Sequence, residues 1–155
     1  MDWKLVQDPL YNELLPVIQS MGYSLVELNR QQTQGRLQVR VVIHHYNGVG
    51  LKDCELVHKT VLPRIELIER NDDVNLEVTS PGITRNIKSA GEFLIFLDRQ
   101  VRILENDSED WVGGTILGAD ENSVKLGTPE GEKTISISDI KKAKLAYSQE
   151  DEKRK

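Results

Sequence analysis

The chain has 155 residues, 38% apolar and 29% charged, enough for one ordinary domain or two small ones with a packed core. It carries 20 basic and 25 acidic residues, a net charge of −5; this argues against a protein living mainly by phosphate contacts and suits a basic partner. No run of eighteen apolar residues exists, which excludes a helical membrane span. The start Met1-Asp2-Trp3-Lys4 lacks the basic and apolar regions of a signal peptide, and the lone Cys54 has no partner for an internal disulfide, so the expected compartment is the cytoplasm.

Residues 8–21 read as a helix: Leu10, Leu14, Val17, Ile18 and Met21 recur at helical spacing, Asp8 is the N-cap, Pro9 opens the first turn and Gly22 stops it. Pro16 falls inside this pattern and is expected to kink it. Two strands follow. Residues 23–30 alternate through Tyr23, Leu25 or its neighbour Val26, and Leu28; residues 36–45 alternate through Leu37, Val39, Val41 and Ile43. The polar turn Gln31-Gln32-Thr33-Gln34-Gly35 between them predicts an antiparallel hairpin.

A helix beginning near Gly50 carries the stripe Leu51, Cys54, Val57, Val61 and Ile65, with Pro63 expected to bend or split it. A strand over residues 74–79 and a helix over 91–99, bearing Phe93, Ile95, Phe96 and Leu97, complete the first half. The order helix, strand, strand, helix, strand, helix predicts a layered α/β domain over residues 1–98 with a three-stranded sheet. From residue 99 the pattern changes to five short strands, at 101–104, 111–118, 124–126, 134–137 and 143–145, with a helical turn at 138–140. Short strands with polar turns predict a small barrel over residues 99–147, for an α+β chain. The tail at 148–155 is wholly polar and is expected to be disordered.

The strand Leu76-Glu77-Val78-Thr79 runs into a Ser80-Pro81-Gly82 corner. Pro81 holds Ser80 extended, Gly82 is free to take a positive φ, and the corner is expected to aim Thr84 and Arg85 outward.

These features resemble the ribosome maturation factor RimP family. The matching marks are Gly48-Val49-x-Leu51-x-Asp53-Cys54-Glu55, then Leu76-Glu77-Val78-x-Ser80-Pro81-Gly82-Ile83-x-Arg85 and Phe93, then Trp111-x-Gly113 and Ile140-x-Lys142-Ala143-x-Leu145. They span nearly the whole chain in order. The resemblance implies an α/β domain followed by an SH3-like or Sm-like barrel. It implies a non-enzymatic factor that binds immature small (30S) ribosomal subunits and helps a basic ribosomal protein join the ribosomal RNA. The expected factor acts as a monomer, without membrane, metal or cofactor. Two departures stand out. Gly50 occupies a helix start where the family usually has Ser or Thr, and Thr84-Arg85-Asn86 replaces the common Asp-Arg-Pro.

The residues expected to meet a ribosomal protein or ribosomal RNA are Ser80, Pro81, Gly82, Thr84 and Arg85 at the corner, Arg99, and the cluster Lys141, Lys142 and Lys144. A guanidinium grips phosphate or carboxylate with two parallel bonds, whereas an exposed salt bridge does little for stability. Trp111 reads more readily as a core or domain-contact residue than as a base-stacking one. Cys54 and His58 share a helical face, but a closed zinc site needs four ligands, and the apolar stripe reads Cys54 as structural. His44 and His45 point to opposite faces of a strand. Ser80 lacks the surrounding glycines of a nucleophile elbow, and Gly48-x-Gly50 lacks a dinucleotide loop's third glycine. A general RNA-binding module using the small barrel is the alternative reading.

Overall fold

The computed structural model describes residue 1 and residues 8–146. The expected tail at 148–155 lies outside the described residues. The described chain divides into two compact units, residues 8–81, and residue 1 with residues 82–146.

In the first unit, Asp8 starts α1 (Pro9–Ser20) by accepting the Leu10 N–H at 2.9 Å, and Leu10, Leu14 and Ile18 form its buried face. Strands β1 (Ser24–Thr33) and β2 (Arg36–His44) form the expected hairpin. Its turn residues Gln34 and Gly35 both have positive φ, 52° and 84°, as a two-residue hairpin turn requires. Val26 is a bulge between Leu25 and Glu27, and Leu25 to Leu28 are all buried. One extra residue flips the alternation, which is why either Leu25 or Val26 fits the sequence pattern.

Helix α2 (Leu51–Glu69) runs unbroken through Pro63, whose ring sits on the exposed face. Val57, Val61 and Ile65 are buried, but Leu51, expected in the same stripe, is 76% exposed. The helix crosses over so that β3 (Val74–Thr79) pairs parallel to β2, giving the sheet order β1-β2-β3. Both helices pack their apolar faces with Leu37, Val39, Val41, Ile43 and Leu76 in one core.

The second unit begins at Gly82, well before the expected junction at 98–99. The reason is hydrogen bonding: Ile87 N–H donates to the Ala143 carbonyl at 2.8 Å, and Leu145 N–H to that of Arg85 at 2.9 Å. The expected helix over 91–99 shrinks to α3 (Glu92–Ile95). The chain leaves it through Asp98, at φ 68°, whose N–H donates to the Ile116 carbonyl at 2.9 Å.

Strands β4 (Gln100–Glu105), β5 (Trp111–Ala119), β6 (Ser123–Thr128), β7 (Gly131–Ser136) and β8 (Ile140–Leu145) form an antiparallel sheet in the order β7-β6-β5-β4-β8. A single 3-10 turn, Ile137–Asp139, joins β7 to β8. These two strands are the edges of the ladder and do not pair, so the sheet is open and the expected closed barrel is not formed by its hydrogen bonds. Val101, Ile103, Ile116, Val124, Leu126, Ile135, Ala143 and Leu145 are buried.

Candidate functional site

The corner after β3 turns with an Arg85 N–H to Gly82 carbonyl bond of 3.0 Å. Gly82 does not have positive φ, and a Cβ built there meets nothing within 4 Å. The turn therefore does not use glycine's conformational freedom. Ser80 and Thr84 are exposed.

Arg85 corrects the outward expectation. Asn86 forms a bridge with Lys144 of β8, so residues 85–87 behave as a short strand beside it. Side chains then alternate: Asn86 faces solvent, and Arg85 and Ile87 face inward. The Arg85 side chain is only 8% exposed, and its Nε donates to Glu92 Oε1 at 2.8 Å; Glu92 is 6% exposed. Glu92 Oε2 also accepts the Lys88 N–H at 3.1 Å. Glu92 was missed by sequence reasoning because no motif links it to Arg85.

Three other cations, Arg102, Lys142 and Lys144, lie on the outer face of the five-stranded sheet. Register places Trp111, Leu104 and Lys142 in one row, and Gly113, Arg102 and Lys144 in the next, with Asn86 extending the second row. Their neighbours Ile103, Ala143, Val101 and Leu145 point to the buried side. Lys141 is the extra residue of a β8 irregularity opposite Leu104 and Glu105. Arg99 precedes β4, its carbonyl accepting the Ile116 N–H at 3.0 Å. Trp111 is 40% exposed, not a core residue, and the Lys144 ammonium lies 5.0 Å from its ring centre.

The residues of the Gly48-to-Glu55 mark have structural roles. Asp53 accepts the Gly50 N–H at 2.7 Å, capping α2 where Gly50 offers no side chain, and also accepts the Tyr23 hydroxyl. The Tyr23 hydrogen bond, then that of Gly50, hold the Asp53 carboxyl below its ordinary range, while the same Asp53 bond raises the Tyr23 phenol. Burial, then Asp53, push the Cys54 thiol up, which leaves it a poor nucleophile. His58 Nε2 lies 3.0 Å from the Leu76 carbonyl oxygen. A carbonyl only accepts, so this nitrogen carries a proton and is not a free metal ligand. Among the described residues, no group of three or more His, Cys, Asp or Glu side chains is placed to hold a metal. None of the described helices is long and apolar enough to cross a membrane.

On the first unit's sheet, the face away from the helices forms a shallow depression of about 400 Å³, with Asn29, Gln31, Gln38, Arg40, Asn75 and Glu77 among its lining residues. Arg40 and Glu77 approach to 3.9 Å across the strands.

Residues 13–84 match the family model described as the RimP N-terminal domain. The chain is 34% identical over 140 residues to the protein named ribosome maturation factor RimP of Borrelia turicatae (strain 91E135), covering 88% of this chain and 94% of that protein. It is 33% identical over 138 residues to the protein of that name in Borrelia hermsii (strain HS1 / DAH), with the same two coverages. The Borrelia recurrentis (strain A1) protein of that name is 28% identical over 137 residues, again covering 88% of this chain and 94% of the relative.

Proposed function

The chain belongs to the RimP family, and from that premise we propose that it assists assembly of the small (30S) ribosomal subunit, binding the immature particle and favouring the docking of a basic ribosomal protein on its RNA. The observation that carries this reading is the likeness to the Borrelia turicatae protein named a ribosome maturation factor, which runs through both units rather than one. The net charge of −5 supports a basic protein partner.

The mechanism is recognition, not bond chemistry. Two linked modules that each hold one component raise the effective concentration of one for the other. The polar groups that first invite a catalytic reading serve the fold instead: Asp53 caps a helix, His58 holds a strand carbonyl and Glu92 neutralises Arg85. The second module is an SH3-like sheet. Ser80, Pro81, Gly82, Thr84, Arg99, Lys141, Lys142 and Lys144 make the partner contacts, and Arg85 acts behind them by holding the corner. The chain works in the cytoplasm as a monomer.

A tagged chain isolated from cells tests this. Small subunits carrying precursor RNA should come with it. Recovery of the chain with mature ribosomes alone, or with no ribosomal particle, overturns the proposal.

A further inference from the structure

Among the described residues, the outer face of the five-stranded sheet carries cations without acidic partners beside a partly exposed indole. Along β4, β5 and β8 its positions are Gln100, Arg102 and Leu104; Trp111, Gly113 and Thr115; and Lys142 and Lys144. These eight positions hold three cations and no carboxylate. Two other lysines of this sheet are matched with acids: Lys125 with Glu132 at 2.9 Å and Lys133 with Glu105 at 3.3 Å. Among the described residues, no carboxylate lies within ion-pair distance of Arg102, Lys142 or Lys144. In a chain of net charge −5 this is a local reversal of sign.

Trp111 sits in the part of β5 that β6 does not flank, since their pairing starts at Thr115. Gly113 is the next position on the same face and projects no side chain beside the indole. The Lys144 ammonium, 5.0 Å from the ring centre, is drawn across β4 toward the indole. The two rows and three strands span roughly 7 by 10 Å between side-chain positions, the scale on which sheet faces stack two or three bases.

We propose that this face binds single-stranded RNA, with a base stacked on Trp111 and phosphates held by Arg102, Lys142 and Lys144. This deepens the ribosome-maturation reading and rests on it for where such RNA is met. RNA fits better than an acidic protein because of how the face is ordered. The Trp111 end adjoins the hairpin with Asp107, Glu109 and Asp110, which repels carboxylates and phosphates but not an uncharged base. The cationic rows extend from there toward β8, where a backbone following that base meets them. An acidic peptide would use the cations and leave the indole without a stacking partner.

The test uses the full chain with Trp3→Phe, leaving Trp111 as the sole tryptophan, and a labelled single-stranded RNA 12-mer of mixed sequence. RNA should quench Trp111 fluorescence. Trp111→Ala should weaken binding about tenfold, the scale of one lost stack, with the salt slope unchanged, while Trp111→Phe should keep most of the affinity. Lys142→Gln and Lys144→Gln should each reduce the slope of log affinity against log salt by about 0.7. All these side chains are at least partly exposed, and thermal unfolding of each variant checks that the fold is kept. Unchanged affinity when Arg102, Lys142 and Lys144 are all Gln overturns the proposal. So does inorganic polyphosphate competing charge for charge without quenching, or an acidic peptide binding more tightly than RNA. The two readings fail separately: oligonucleotide binding with normal subunit maturation in a deletion strain removes the ribosomal role alone, and defective maturation without oligonucleotide binding removes this face alone.

Discussion

At the scale of single residues, two polar contacts support the two units. The Arg85–Glu92 pair is buried on both sides, so removing Glu92 takes a hydrogen-bonded carboxylate from a guanidinium in a place water does not reach. Glu92→Ala should destabilise the chain by about 3–5 kcal/mol, read from urea unfolding, far more than the loss of an exposed salt bridge. A wild-type midpoint for Glu92→Ala would show that the pair is not a support. The Asp53–Tyr23 bond carries a pH signature. Asp53 has a native pKa below its ordinary value, so its contribution is present above about pH 4 and is lost as pH falls through the depressed native value. Tyr23, whose native pKa is raised, contributes below its ordinary pKa and loses that contribution as pH rises through the native one. Tyr23→Phe should therefore be less stable than wild type at neutral pH, with the gap closing in acid. Urea midpoints from neutral pH into acid check this, and a pH-independent gap contradicts it.

At the scale of elements, two glycines of the second unit have opposite meanings. A Cβ on Gly114 would lie 3.0 Å from the Gly127 carbonyl oxygen and 3.2 Å from Leu126 Cβ, so Gly114→Ala should cost about 1–3 kcal/mol by overpacking. Gly82 has open space and no positive φ, so Gly82→Ala should stay within about 0.5 kcal/mol. Equal unfolding midpoints for the two variants would contradict the geometry. Periodicity made β2, β3 and α1 legible, because each buries one face and leaves the other in water. It misled where that condition fails. Phe93-Leu94-Ile95-Phe96-Leu97 has no polar side to show a period, and only Phe93 and Phe96 become buried. The inward turn of Arg85 depends on pairing with β8, some sixty residues away, which no local pattern carries. Residue type reads Trp111 as a core or domain-contact residue, whereas its register on β5 puts it on the outer face, away from the core.

At the scale of the whole molecule, the chain is two modules whose likeness to ribosome maturation factors covers both. Its acidity is not uniform: it is negative in sum, with one cationic sheet face. That division suits a factor meeting both a basic protein and RNA, and it explains why net charge alone pointed only to the first. The motif marks were legible as family signs. Their physical roles, Asp53 as a helix cap and Arg85 as half of a buried pair, became readable only with the fold. The most direct measurement is the ribosomal profile of a strain lacking this chain. Loss of the chain should give a deficit of mature small subunits with accumulated precursor small-subunit RNA, restored by the intact chain. A profile with normal small subunits and fully processed RNA would contradict it.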